Sequence, residues 1–270
     1  MPVRAERIIV PLLLLAGFGL RAFRLDVQSI WHDEAASIDI AAHDVAAIAS
    51  LSAADIHPPL HPWLLHFWML LAGDTELSTR FLSVFFGILA VAVLFQLGRL
   101  LFGRRGAVLS MLVAVVAPFL VYYSQETRSY SAGLLFSVLS VFASLRWLRG
   151  DGSRAWLVCY IVATVAAVYT HYYAWLIVSF LNLFVVLRTW ASWPGSAAKL
   201  RSWLPAQLVV GLAYLPWAGI LLQKYQTYGA PVPRGGLGEA LYQTLVSFGL
   251  GYWAGQAGAI PGQKDLFPDH

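Results

Sequence analysis

The chain has 270 residues, of which 59% are hydrophobic and 12% charged, with a mean hydropathy of +0.67 and a formal net charge of +4. Soluble domains carry about 25% charged residues, so this composition excludes an ordinary soluble globule and describes an integral membrane protein. A single cysteine, Cys159, excludes an intramolecular disulfide and a cysteine metal cluster.

The first apolar run covers about 8–25. Its basic start, Arg4 and Arg7, suits a signal peptide, but Gly17-Phe18-Gly19-Leu20-Arg21 offers no small-x-small cleavage site, so the run is expected to persist as a span. Residues 26–77 follow as a long loop carrying Trp31-His32-Asp33-Glu34. Within it Ile38, Ala41, Val45 and Ile48 recur at helical spacing opposite Asp39, His43 and Asp44, which predicts an amphipathic helix in the membrane interface. Leu60 to Ala72, preceded by His57-Pro58-Pro59 and containing Pro62, is about 20 Å long as a helix and too short to cross. It is expected to lie as a juxtamembrane or re-entrant helix, so that this loop forms a structured cap.

Six more runs, at about 78–100, 105–123, 130–149, 155–170, 173–190 and 203–222, are expected to be long enough to cross a hydrocarbon core of roughly 30 Å. The basic groups Arg99/Arg104/Arg105, Arg146/Arg149/Arg154 and Arg188/Lys199/Arg201 mark three loops, which the positive-inside rule puts in the cytoplasm. The net positive charge is thereby explained without nucleic acid. Residues 26–77, 124–129, 171–172 and 223–270 then face outward, the N-terminus is cytoplasmic and the C-terminus extracytoplasmic. Every acid except Glu6 and Asp151 falls on the outer side, whereas Arg21 and Arg24 run against the pattern and are read as snorkelling to the interface. The expected fold is therefore all-α and polytopic. Residues 1–222 form the membrane module of about seven helices, and 223–270 an outer segment with an amphipathic helix over Leu241–Phe248.

Four polar clusters collect on the outer side. Asp33 and Glu34 are adjacent, so their side chains diverge by about 100° on a helix and cannot do the same job. One can serve as a general base while the other holds a metal, an arginine or a backbone turn. The second cluster is Tyr122-Tyr123-Ser124-Gln125-Glu126-Thr127-Arg128-Ser129-Tyr130. Arg128 suits a phosphate, because guanidinium donates bidentate hydrogen bonds and stays charged, and Gln125 and the tyrosines suit sugar hydroxyls. Third is Tyr169-Thr170-His171-Tyr172-Tyr173, with an ionisable His171 near membrane depth. Fourth, His57 and His61 are spaced as metal ligands on a helix, but Pro58-Pro59 argues against one regular helix there. A solvated acidic loop and an interfacial aromatic belt remain open for the individual clusters. Their shared side favours an outward-facing polar cavity.

Trp-His-Asp-Glu, His-Pro-Pro-Leu, the stretch from Gly73 to Arg80, Tyr-Tyr-Ser-Gln-Glu-Thr-Arg-Ser-Tyr and Thr-His-Tyr-Tyr, in this order and placement, resemble the GT-C membrane glycosyltransferases. Within these the likeness is to the protein O-mannosyltransferases and aminoarabinose (lipid A) transferases. The resemblance implies a plasma-membrane enzyme that moves a sugar from a polyprenyl-phosphate donor to a lipid, glycan or protein acceptor at the extracytoplasmic face, with inversion. By position it makes Asp33 the general base, with Glu34 as its partner, and Arg128 the group that stabilises the departing phosphate. Arg80, Gln125, Glu126, Tyr130, His57, His171 and Tyr172 are then cavity residues. A divalent metal at the acidic motif occurs in some such enzymes and not in others. The resemblance also implies further spans beyond His270, so a truncated product, a split enzyme completed by a second polypeptide and a fragment of a longer chain all stay open. Two other functions compete: a lipid-linked sugar transporter, which needs a polar route to both faces, and a membrane metalloenzyme using His57, His61 and His171.

Overall fold

The computed structural model describes residues 3–54, 57–150, 153–192 and 197–228. The predicted outer segment lies outside the described residues from 229 onward, including the helix expected over Leu241–Phe248. The described residues are all-helical: α1 (Val3–Ala22), α2 (His32–Ala41), α3 (Val45–Ala54), α4 (Leu60–Ala72), α5 (Glu76–Val116), α6 (Pro118–Tyr122), α7 (Tyr130–Arg149), α8 (Arg154–Thr170), α9 (Ala174–Trp190) and α10 (Ala197–Tyr228).

Each predicted span coincides with helix. α5, Tyr130–Arg149 and Ala197–Ile220 are long and apolar enough to cross a membrane, while α8 and α9, 17 residues each, fall short of the roughly 20 residues typical of a span. Length and hydropathy alone thus do not establish the count of seven. The two spans expected at 78–100 and 105–123 are the arms of α5, a hairpin turned at Gly103, whose φ of 71° suits glycine. Val91 and Phe95 of one arm pack against Ala107, Met111, Ala114 and Val115 of the other. A Cβ on Gly98 would stand 2.6 Å from Ser110 Oγ, so glycine sets how closely the arms approach.

Two boundaries differ from expectation. The second arm stops at Val116 rather than running to 123, because Pro118 cannot donate the amide bond that continues a helix. The single interfacial helix expected across 38–48 is two helices. His43 Nδ1 lies 2.8 Å from Asp39 O at the end of α2, and Asp44 Oδ1 accepts from the amides of Ala46 and Ala47, both at 3.0 Å, to start α3.

α4 occupies the expected residues and packs Leu65 against Ala41, Leu82, Phe86 and Ala132, which ties the cap to α5 and α7. Trp68 Nε1 donates to Ser78 O at 2.8 Å and Trp63 Nε1 to Val45 O at 3.0 Å. At the far end of the bundle Trp147, Tyr160 and Trp203 stack between α7, α8 and α10. Gln207 on α10 is held by Tyr160 and Asn182, and Trp203 Nε1 donates to Asn182 Oδ1 at 2.8 Å.

A candidate site where two carboxylates and three arginines meet

The adjacent acids sit in the first turn of α2, where the helix N-terminus favours negative charge, and their environments diverge. Glu34 is fully buried. Its Oε1 accepts from Arg80 Nε at 2.9 Å and from the Thr127 amide at 2.8 Å, and its Oε2 from Arg80 Nη2 at 2.7 Å and the Trp31 amide at 3.4 Å. Burial alone would raise this carboxyl, but the hydrogen bonds from Arg80 and the Thr127 amide, with the Arg80 charge, hold it below the ordinary glutamate range. Asp33 is 41% exposed, and its one ion pair among the described residues is a long contact of 3.7 Å from Oδ2 to Arg128 Nη2.

Three arginines at this end carry different loads. Arg80 uses all five of its N–H groups. Besides Glu34 it donates from Nη1 to Leu25 O at 2.9 Å and Gln28 O at 2.5 Å, and from Nη2 to Ser29 O at 3.2 Å, which staples the 25–29 loop to α2 and α5.

Arg21 is 1% exposed and touches no carboxylate among the described residues. Its Nη2 donates to Ala114 O at 2.9 Å and its Nη1 to Val115 O at 3.3 Å. Those carbonyls lie four residues before Pro118 and Phe119, where the helix breaks, so Arg21 supplies the donors that the backbone lacks. Its Nε donates to Ser124 Oγ at 3.2 Å. In return Gln125 Nε2 donates to the carbonyls of Leu20, Arg21 and Phe23 at 3.4, 3.1 and 3.0 Å, capping α1. The end of α1 thus caps α5, and the segment after α6 caps α1 in return. Gly87 makes the room, since a Cβ there would stand 2.3 Å from Ser124 Oγ. Arg21 is therefore not a snorkelling residue, whereas Arg24 is exposed at the end of α1 with φ 55°.

Arg128 is the third. Its Nη1 donates to Asp33 O at 3.1 Å and Ser37 Oγ at 3.2 Å, its Nη2 lies 3.4 Å from His57 Nε2, and its buried Nε has no partner. The guanidinium stands 5.8 Å from the Tyr130 ring centroid, and Tyr130 lies 5.9 Å from the His171 ring. Beside Arg128 is a cavity of about 30 Å³, lined by Ser37, Ser52, His57, His61 and Ser129 among others. It is room for a water or two. Ser52 Oγ is buried without a partner, and burial, with the charges of Arg128 and His57, pushes His61 down to about 3. His171 is lowered by the same three causes. Glu126, 7% exposed with Oε2 unpartnered, is pushed up to about 6 by burial, with Tyr122 and Arg128 opposing and Glu34 and Asp33 adding.

Asp33, Glu34, Arg80, Arg128, His57, Glu126, Tyr130 and His171 are therefore brought together. Gln125 points to α1 instead. Tyr172 packs in another aromatic group, accepting from Trp217 Nε1 at 3.3 Å beside Tyr214. Sequence reading missed Ser37 and Gly87, and gave Ser124 and Thr127 no role of their own within the second cluster. The Thr127 contribution is a backbone amide, which leaves no residue-type signal. No group of three or more His, Cys, Asp or Glu side chains among the described residues is placed to hold a metal, and His66 Nδ1 lies 2.8 Å from Ala41 O.

Residues 56–218, more than half of the chain, match the family model described as dolichyl-phosphate-mannose-protein mannosyltransferase. That stretch contains Arg80, Glu126, Arg128 and His171 and begins after the carboxylate pair. Among solved structures, the S. cerevisiae protein O-mannosyltransferase Pmt1-Pmt2 complex bound to the sugar donor matches with a TM-score of 0.62 at 19% identity. The alignment covers 84% of this chain and 34% of that one, so the chain spans about a third of its structural relative. No curated protein matches the sequence.

Proposed function

The chain belongs to the dolichyl-phosphate-mannose-protein mannosyltransferase family, and on that premise we propose that it carries the catalytic part of a membrane glycosyltransferase. In this reading a sugar passes from a polyprenyl-phosphate carrier to an acceptor hydroxyl at the extracytoplasmic face, which is the carboxylate end of the bundle. The observation that carries the proposal is the inequality among the buried arginines. Arg80 and Arg21 are consumed by fixed partners, while Arg128 keeps a free Nε and only long contacts from Nη2. A guanidinium with spare donors beside a half-exposed carboxylate is the pair that sugar transfer from a phosphate needs.

The steps follow from those two groups. Asp33 accepts the acceptor's hydroxyl proton as that oxygen attacks the anomeric carbon from the face opposite the phosphate. The bond from the anomeric carbon to the phosphate oxygen breaks with inversion, and the electron pair leaves on the phosphate. Arg128 meets the growing negative charge with hydrogen bonds already in place. Glu34 is the anchor rather than a second base, since both its oxygens are committed. A divalent cation at the acidic motif would have to displace Arg80 to use Glu34, which leaves Asp33 as the one acid open to it. His57, Glu126, Tyr130 and His171 surround Arg128 as sugar and phosphate contacts. Asp33, Arg128 and the residues around them share one end of the bundle, as transfer at a single membrane face needs.

The test is transfer of labelled mannose from polyprenyl-phosphate mannose in proteoliposomes, with a second polypeptide supplied if the relatives' remaining length is required. Product with the inverted anomeric configuration, lost in Asp33→Asn, supports the reading. Donor binding without any transfer by the completed enzyme would overturn it.

A further inference from the structure

At the opposite end of the bundle α5, α7 and α8 border an open cavity of about 610 Å³ lined by Gln96, Arg99, Leu100, Phe142, Arg146 and Trp156. That volume falls within the roughly 300–1,000 Å³ of small-ligand sites. Its walls are graded. Arg99 and Arg146 stand on two different helices, while Gln96 and Phe142 lie one turn further along those same helices and Leu100 and Trp156 complete the lining. The Arg146 guanidinium lies 5.1 Å from the Trp156 ring centroid, and Phe142 meets that indole edge-on at 5.5 Å. Arg146 is exposed and has no carboxylate within 4.0 Å among the described residues. Arg99 pairs with Glu6 Oε1 at 3.2 Å but stays 45% exposed. Glu6 also takes Arg104 at 3.5 Å, so one carboxylate serves two arginines and the cavity keeps a positive excess.

We propose that this cavity binds the phosphodiester headgroup of an anionic phospholipid. Two arginines from separate helices converge on one phosphate, Gln96 offers an amide to the glycerol and ester region, and Phe142, Leu100 and Trp156 receive the first methylenes. Basic pockets between membrane helices near the interface are suited to anionic headgroups. Val158, one half-turn beyond Trp156 on α8 and away from the basic end, is 57% exposed and extends the apolar surface available to the acyl chains. Nothing in this inference depends on the transferase reading.

The experiment uses the full chain in a maltoside micelle, titrated with dioctanoyl phosphatidylglycerol or dioctanoyl phosphatidylcholine and read by native mass spectrometry. One equivalent of the glycerol lipid should be retained and the choline lipid lost. Arg146→Gln should weaken retention about fivefold, the scale of one basic residue against an anionic lipid surface, and adding Arg99→Gln about 25-fold on the same basis. Arg105→Gln, exposed and outside the cavity, should change nothing. Equal retention of both lipids would overturn the proposal, as would an Arg105→Gln effect equal to that of Arg146→Gln. Displacement of the lipid by glycerol phosphate at matched concentration would assign the site to a free phosphate instead.

Discussion

Arg80 at the carboxylate end and Arg99 at the basic end each pair with a glutamate, but the pairs are built differently. Arg80 and Glu34 meet at 2.7 Å with 3% and 1% of their side chains exposed, whereas Arg99 and Glu6 meet at 3.2 Å with 45% and 10% exposed. In the first pair every donor and lone pair has a direction assigned by backbone from three segments. In the second, a rival arginine shares the carboxylate, and both arginines are nearly half exposed. Burial turns the same chemistry into a fixed scaffold at one end and an adaptable, partly unsatisfied surface at the other. It also separates Asp33 from Glu34 next to it, leaving the exposed acid with one long contact to Arg128 while the buried one holds the frame.

The contrast is broken most directly by Arg80→Ala. Removing one partner of a buried pair costs about 3–5 kcal/mol, so unfolding in detergent should shift by that amount; a shift below ~1 kcal/mol would make the two ends equivalent. The same anchor has a pH signature. Glu34's stabilisation is present above about pH 4.3, the ordinary glutamate value, and is lost as pH falls through its lowered folded value. Glu126 has the opposite sign: its raised folded value means stability declines as pH climbs from about 4.3 to about 6. Unfolding measured against pH should lose the acid-side slope in Glu34→Gln and the shallower slope below neutrality in Glu126→Gln.

Asp33→Asn keeps the shape of the free acid and removes its basicity, so turnover should fall by about 10²-fold or more with donor binding retained. Near-full turnover would remove Asp33 from the chemistry. Arg21→Met is expected to cost about 1–3 kcal/mol, because it leaves the carbonyls of Ala114 and Val115 buried without donors. It should also weaken donor binding, since the 124–128 segment then loses its clamp. Unchanged stability would mean that the α5 break is satisfied in some other way. Smallest of all, Arg104→Gln at the basic end should change stability by about 0–1 kcal/mol, given a side chain 44% exposed.

What the sequence made legible follows from how local each cause is. The α5 turn was readable as two spans because Arg104 and Arg105 interrupt the apolar run beside Gly103. α4 was readable from its length and its prolines. The break at Asp44 was missed because the apolar spacing runs straight through it, although an N-cap residue stood there. That Asp33 and Glu34 must differ was legible, but that Glu34 is the buried acid was not, since the arginine that holds it lies 46 residues away. Arg21 was read as an interfacial side chain because its carbonyl partners are 93 and 94 residues away, and nothing local announces them. Gln125 was placed with the sugar contacts for the same reason.

The one-residue reversal at Gly103 also bears on how the chain is built into the bilayer. A flexible connector lets each apolar segment partition separately and find its neighbour afterwards, and closing such a loop carries an entropic cost. Here the second arm begins at once, with Phe95 in one cluster with Ala107, so pairing the arms costs little loop entropy. The pair is suited to form early during synthesis, and with it the carbonyl end of α5 that Arg21 caps.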